Sequence, residues 1–170
     1  GSLPKEQLPK IGTVQNPALF SDGEDLLISY EVAPADGGGN AILEFHGVIF
    51  FEQNPINTHG LSESRYPVSA WEFTEVEGSD RTEQWRNPRF WTISFNDVTL
   101  QVVFRSVTLV ERTLDPGQPS VILLKHLYSR QRGQWIGTTT SFFLAHTTTS
   151  RNSIISSKTF SRMVNCPQQM

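Results

Sequence analysis

The chain has 170 residues, of which 37% are hydrophobic, 11% aromatic and only 18% charged, with a net charge of −3. That length favours one domain able to bury its own core, and the acidic balance argues against nucleic-acid binding as the main role. A single cysteine, Cys166, excludes an intramolecular disulfide framework.

Few charges with many aromatic and β-branched residues point to a sheet protein. No apolar run approaches the roughly 20 residues of a membrane helix. The opening Gly1-Ser2-Leu3-Pro4-Lys5 lacks a signal-peptide core, although a leader removed upstream would leave no trace. Together with the lone cysteine this favours a reducing, cytoplasmic setting.

Charge is unevenly spread. All 17 acids lie at or before Asp115 with 8 of the 14 Lys and Arg, and the other 6 bases follow it without an acid. The basic segment is expected either to pack on the protein's own acidic face or to dock on an anionic partner or a second copy.

In chain order, residues 1–17 are proline-rich and read as an extended arm, with a short strand near 11–14. Ser21-Asp22-Gly23-Glu24-Asp25 is a turn, and residues 26–32 (LLISYEV) alternate as a strand. Residues 34–40 hold three consecutive glycines. A strand follows rather than a helix, so a mobile hairpin turn is expected and not a phosphate cradle. Residues 41–51 (AILEFHGVIFF) read as one strong strand, with Gly47 marking a bulge or a close approach. Residues 52–67 form a long loop, and 68–76 (VSAWEFTEV) a further strand. Asp80 and Glu83 have capping-box spacing, which predicts one or two helical turns over 80–86.

The most organised stretch is 90–110 (FWTISFNDVTLQVVFRSVTLV). Period-two alternation on both sides of Asn96-Asp97 predicts a β-hairpin with a two-residue turn, its second arm running through Val107 and Leu109. After the break at Asp115-Pro116-Gly117, residues 121–128 and 135–144 read as two more strands, and 145–170 as a Ser/Thr-rich basic tail or edge strand. The expected fold is all-β with one short helix: an antiparallel β-sandwich or β-barrel of about seven or eight strands over residues 18–144.

Three constellations bear on function. Trp85, Arg86, Arg89, Phe90 and Trp91 concentrate three aromatics and two arginines next to the long loop, a composition typical of interaction surfaces. Glu44 and His46 share one strand face and, with Glu52, are weak candidates for an acid/base site. Metal-binding double-stranded barrels show two histidines one residue apart and then a glutamate. Here only Glu44-x-His46 exists, so no metal and no cofactor is expected. His126 and His146 lie far from any acid in sequence, Cys166 sits in the tail, and no Gly-x-Ser-x-Gly elbow occurs. The expectation is a non-enzymatic binding or interaction module using the aromatic-arginine patch. Its partner is a protein or small ligand. The alternatives are a ligand binder or enzyme with an interior Glu/His site, and a homo-oligomer docking through the basic segment.

Overall fold

The computed structural model describes residues 1–56 and 58–146, with side chains described as far as Arg132 apart from Thr58. It divides into a unit of Gly1–Arg130 and a unit of Gln131–Met170. The expectations for 147–170 lie outside the described residues.

The first unit is sandwich-like. β1 (Ala18–Ser21), β2 (Leu26–Glu31), β3 (Asn40–His46), β4 (Phe50–Asn54), β5 (Phe73–Glu75), β6 (Arg89–Ser94), β7 (Thr99–Phe104) and β8 (Ser106–Thr113) precede one helix, α1 (Pro119–His146). They form two four-stranded antiparallel sheets, β1-β2-β3-β8 and β4-β7-β6-β5. Among the described residues no helix is long and apolar enough to cross a membrane.

The expected hairpin forms. β6 and β7 pair from Arg89↔Phe104 to Ser94↔Thr99, and the Phe95 N–H donates to the Val98 carbonyl at 2.9 Å across Asn96-Asp97. Two strands that look continuous in sequence do not stay in one sheet. Residues 41–51 break at Gly47, with φ of +59°, into β3 and β4. Residues 98–110 break at Arg105 into β7 and β8. β3 pairs with β8 and β4 with β7, and the Arg105 N–H donates to the His46 carbonyl at 3.0 Å. A single long ribbon therefore bends and supplies strands to both sheets, a route by which packed sheets make a corner. Apolar alternation continues through the bend, so it hides there.

The bend puts two apolar faces together. Leu26, Ile28, Tyr30, Leu43 and Phe45 of the first sheet meet Phe73, Trp91, Ile93, Leu100, Val102 and Phe104 of the second. Phe45, Trp91 and Phe104 pack edge-to-face, with ring centroids 4.8–5.6 Å apart. Each buried ring contributes roughly 2–3 kcal/mol through area alone, and edge-to-face geometry adds about 1 kcal/mol per pair. Behind the second sheet, Tyr66 and Val76 cover Phe90 and Val103. Behind the first, Ile122 and Leu123 cover Leu27 and Ile42. A bulge between Ile42 and Leu43 pairings leaves Val110 as the extra residue on β8, and it too joins this helix-covered cluster.

The helix corrects the two strands expected at 121–128 and 135–144. Residues 122, 123, 126 and 127 are buried or half-buried while 121, 124, 125 and 128 are exposed, a helical stripe. Pro119 takes the first helical position, where its missing N–H costs nothing. The apolar run Val121-Ile122-Leu123-Leu124 resembles a strand only because a short run carries no period.

Other expectations are also corrected. The strand at 68–76 shrinks to β5, since Trp71 adopts φ of +54° and leaves strand geometry. Residues 80–86 form successive turns, Ser79 accepting from Thr82 N–H and Thr82 from Trp85 N–H, each at 3.0 Å. Ser79, not Asp80, is the capping side chain there, accepting from Arg81 N–H at 3.1 Å. Near residue 11 there is an isolated bridge, Ile11↔Val32, in place of a short strand. The glycine-rich connection makes the expected hairpin turn between β2 and β3: Pro34–Asp36 form a 3-10 turn, and Gly39, with φ of +76°, passes beside Thr113 and Leu114.

A Cβ at Gly39 would stand 2.1 Å from the Thr113 carbonyl oxygen, whereas one at Gly38, φ +65°, would meet open space. Gly38→Ala is expected to cost about 1 kcal/mol for the left-handed backbone alone. Gly39→Ala is expected to cost several times as much, read from urea midpoints at constant slope.

Candidate functional site

The proline-rich arm is laid across the sandwich by hydrogen bonds at both ends. Ser2 and Glu75 exchange backbone bonds of 2.9 and 2.8 Å, extending the β5 edge. Gly12 N–H donates to the Glu31 carbonyl at 2.7 Å and Ala33 N–H to the Lys10 carbonyl at 2.8 Å, on the β2 edge that β1 also uses. The Tyr30 hydroxyl donates to the Pro9 carbonyl at 3.0 Å. Burial pushes that phenol well above its ordinary pKa, so it stays a donor. Asn16 caps the β6–β7 turn by accepting from the Asp97 N–H at 2.9 Å.

Midway, Glu6 grips Arg89. The guanidinium donates to Glu75 at 2.8 Å and to both Glu6 oxygens, one of them at 2.9 Å, and it lies 5.1 Å over Trp91 and 5.5 Å over Phe104. Hydrogen bonds donated to Glu75 and Glu6 hold the Arg89 proton more tightly than usual. The reciprocal bond from Arg89 keeps the Glu6 carboxyl below its ordinary pKa.

Between the anchors, the arm and the 70–73 segment enclose an open groove of about 610 Å³, lined by Leu3, Leu8, Ile11, Trp71 and Phe73, with Lys10 and Glu72 among its polar groups. Trp71 is 36% exposed and held at φ of +54°. A non-glycine residue in that region is uncommon and a bulky one is an outlier, a kind of strain that clusters at ligand-binding sites.

The structure disperses the aromatic-arginine patch. Trp91 lies between the sheets and Phe90 behind the second sheet under Tyr66. Adjacent strand residues face opposite ways, so the two could not share one surface. Arg89 is committed to Glu6 and Glu75. Trp85, at 44% exposure, and Arg86 remain on the surface. They adjoin the turn whose Asp80 binds Arg65 and Tyr66 of the long loop, each at 2.8 Å.

Glu44, His46 and Glu52 do not converge in an interior pocket. Glu44 and His46 project from the helix-covered face of the first sheet, away from the aromatic core. Glu52 shares a strand face with Phe50, behind the second sheet, and meets Arg81 at 3.5 Å. The residue that does join Glu44 and His46 is Asp25. The Leu26↔Phe45 register sets it opposite His46, and its carboxylate is 3.1 Å from His46 Nδ1 and accepts from the Gly47 N–H at 3.0 Å. Arg130 of the helix donates to Glu44 at 2.5 Å, which raises the Arg130 pKa. His126 Nδ1 is 2.6 Å from Glu111, so this histidine does find an acid, across the helix–sheet contact.

No family model, curated protein sequence or solved structure matches the chain.

Removing Arg89 leaves two half-buried carboxylates unpaired, so Arg89→Met is expected to cost about 3 kcal/mol, against less than about 0.5 kcal/mol for Arg86→Ala. The depressed Glu6 pKa adds stability that is present above the unfolded-state value and lost as pH falls from about 4.3 downwards. Urea titrations from pH 6 to pH 3 should show a shallower acid loss in Arg89→Met than in the parent protein.

Proposed function

We propose that the protein is a non-enzymatic binding module whose recognition surface is the groove between the N-terminal arm and the 70–73 segment. The groove itself carries the reading: its 610 Å³ falls within the range of small-molecule sites, and its lining is mostly apolar. Trp71 offers a large flat surface that loses little freedom on binding. The titratable side chains of the lining are Glu6, Lys10 and Glu72, and Glu6 is committed to Arg89.

The occupant that fits is a small ligand with a flat apolar body and a neutral or zwitterionic polar end. Lys10 and Glu72 both line the groove and neither is in an ion pair among the described residues. A purely anionic end would meet Glu72 and a purely cationic end Lys10, whereas a neutral or zwitterionic end accommodates both. This reading moves recognition away from the Trp85 to Trp91 stretch, three of whose residues are used to build the fold.

Titration of 15N-labelled protein with aromatic amides and aromatic zwitterions is expected to shift amides of residues 8–11 and 70–73. Trp71→Gly suits the left-handed backbone and should abolish those shifts while leaving the remaining spectrum in place. Shifts confined to residues 80–87, or shifts that survive Trp71→Gly, would overturn the assignment.

A further inference from the structure

The second cluster has a different chemistry. Asp25, Glu44 and His46 each present one ligand atom, and the three atoms lie within 4.8 Å of one another. We propose that these residues form a binding site for a late first-row divalent cation such as Zn²⁺ or Co²⁺, which takes Glu44 from Arg130.

The donor set is two carboxylates and one imidazole, a combination that suits zinc and its neighbours and leaves a coordination position for water. In a tetrahedral shell such donors stand about 3.4 Å apart, so side-chain rotation rather than backbone movement closes the set. The backbone is already rigid there: Asp25 and His46 flank the paired positions Leu26↔Phe45, and Glu44 lies two residues from His46 on the same face. Gly47 N–H fixes one Asp25 oxygen from outside the donor set, as outer partners do in metal sites. Glu44 is 6% exposed, while the side chains of His46 and Asp25 are 36% and 25% exposed, which gives a route in from solvent.

Charge supplies the second argument. Two carboxylates face one permanent cation, Arg130, whose own side chain is 50% exposed. Arg130 is hydrogen-bonded to Glu44, while the Asp25 carboxylate meets His46 and the Gly47 N–H. A dication at the centre meets both carboxylates at once, which Arg130, bonded to Glu44 alone, does not. Arg130 and the metal therefore compete for Glu44. Sequence spacing argued against a metal because Glu44-x-His46 has no second histidine at that spacing. Asp25 supplies the third ligand from the neighbouring strand.

The test is Co²⁺ titration of the full chain, followed by calorimetry and by paramagnetic broadening of amide signals. One Co²⁺ per chain is expected, with broadening centred on residues 25 and 44–47. His46→Ala, at a half-exposed position, should weaken binding by about tenfold or more, and Arg130→Met should tighten it several-fold. No binding below about 1 mM would overturn the proposal. So would binding that His46→Ala leaves unchanged, with broadening around His126 and Glu111 instead. Weaker or unchanged affinity in Arg130→Met would overturn the competition. Since Glu44→Gln could disturb the helix contact, the reading rests on His46→Ala and Arg130→Met, each checked for fold by circular dichroism.

Discussion

The structure depends on one bend. Residues 40–54 and 99–113 run as a single antiparallel ribbon, and the ribbon turns a corner where Gly47 reaches φ of +59° beside Arg105. A Cβ at Gly47 would lie 2.8 Å from Arg105 Cδ, so glycine answers both the backbone angle and the close approach. Before the corner the ribbon belongs to one sheet and after it to the other. Phe45 and Phe104 therefore meet across the sandwich with centroids 4.8 Å apart, though they sit on strands of different sheets. The same corner separates Glu44 and His46, before it, from Glu52, after it, and sends them to opposite outer faces.

With one side closed by the ribbon, the β2 and β5 edges are spanned by the arm. Arg89 ties that arm to the core rim, stacked over two core rings while bonded to Glu6 and Glu75. The helix on the other outer face is held differently. Burial of Ile122 and Leu123, about 2 kcal/mol each, outweighs its flanking ion pairs, since an exposed pair such as Lys125–Asp115 adds about 0–1 kcal/mol. The pairs serve orientation more than stability. Lys125–Asp115, Arg130–Glu44 and the His126–Glu111 contact set the helix against the first sheet, and through the Lys125 and Arg130 pairs part of the charge asymmetry along the chain is internal attraction.

Much of the sheet architecture is legible in the residues. The Asn96-Asp97 hairpin and the strand at 26–32 follow from period-two patterns that local physics enforces. Asp25 opposite His46 was not legible, because a hairpin centred on the 34–40 loop would pair residue 25 with 49, whereas the actual register is centred between Ala35 and Asp36. What is hidden is what tertiary contact decides. The ribbon corner preserves apolar alternation and leaves only Gly47 as a sign. Trp71 alternates with Phe73 as a strand residue would, yet its left-handed backbone is a property of the loop against the arm. The helix was obscured by branched residues at 121 and 122, although Pro119, Ile122, Leu123, His126, Leu127 and Arg130 have helical spacing throughout. The aromatic-arginine stretch looked like a surface because composition does not tell which of two adjacent residues faces inward.

Amide hydrogen exchange at the corner tests the account most directly. The Ile49 N–H donates to the Val103 carbonyl at 2.8 Å and the Arg105 N–H to the His46 carbonyl at 3.0 Å, one on each strand of the bent ribbon. If the two sheets are one ribbon folded at Gly47, both amides should exchange only by global unfolding, as slowly as those of Trp91 and Val102. Exchange at Ile49 and Arg105 as fast as in the Asp22 to Asp25 turn would mean that the corner opens independently, and that two separate hairpins, not one bent ribbon, build the sandwich.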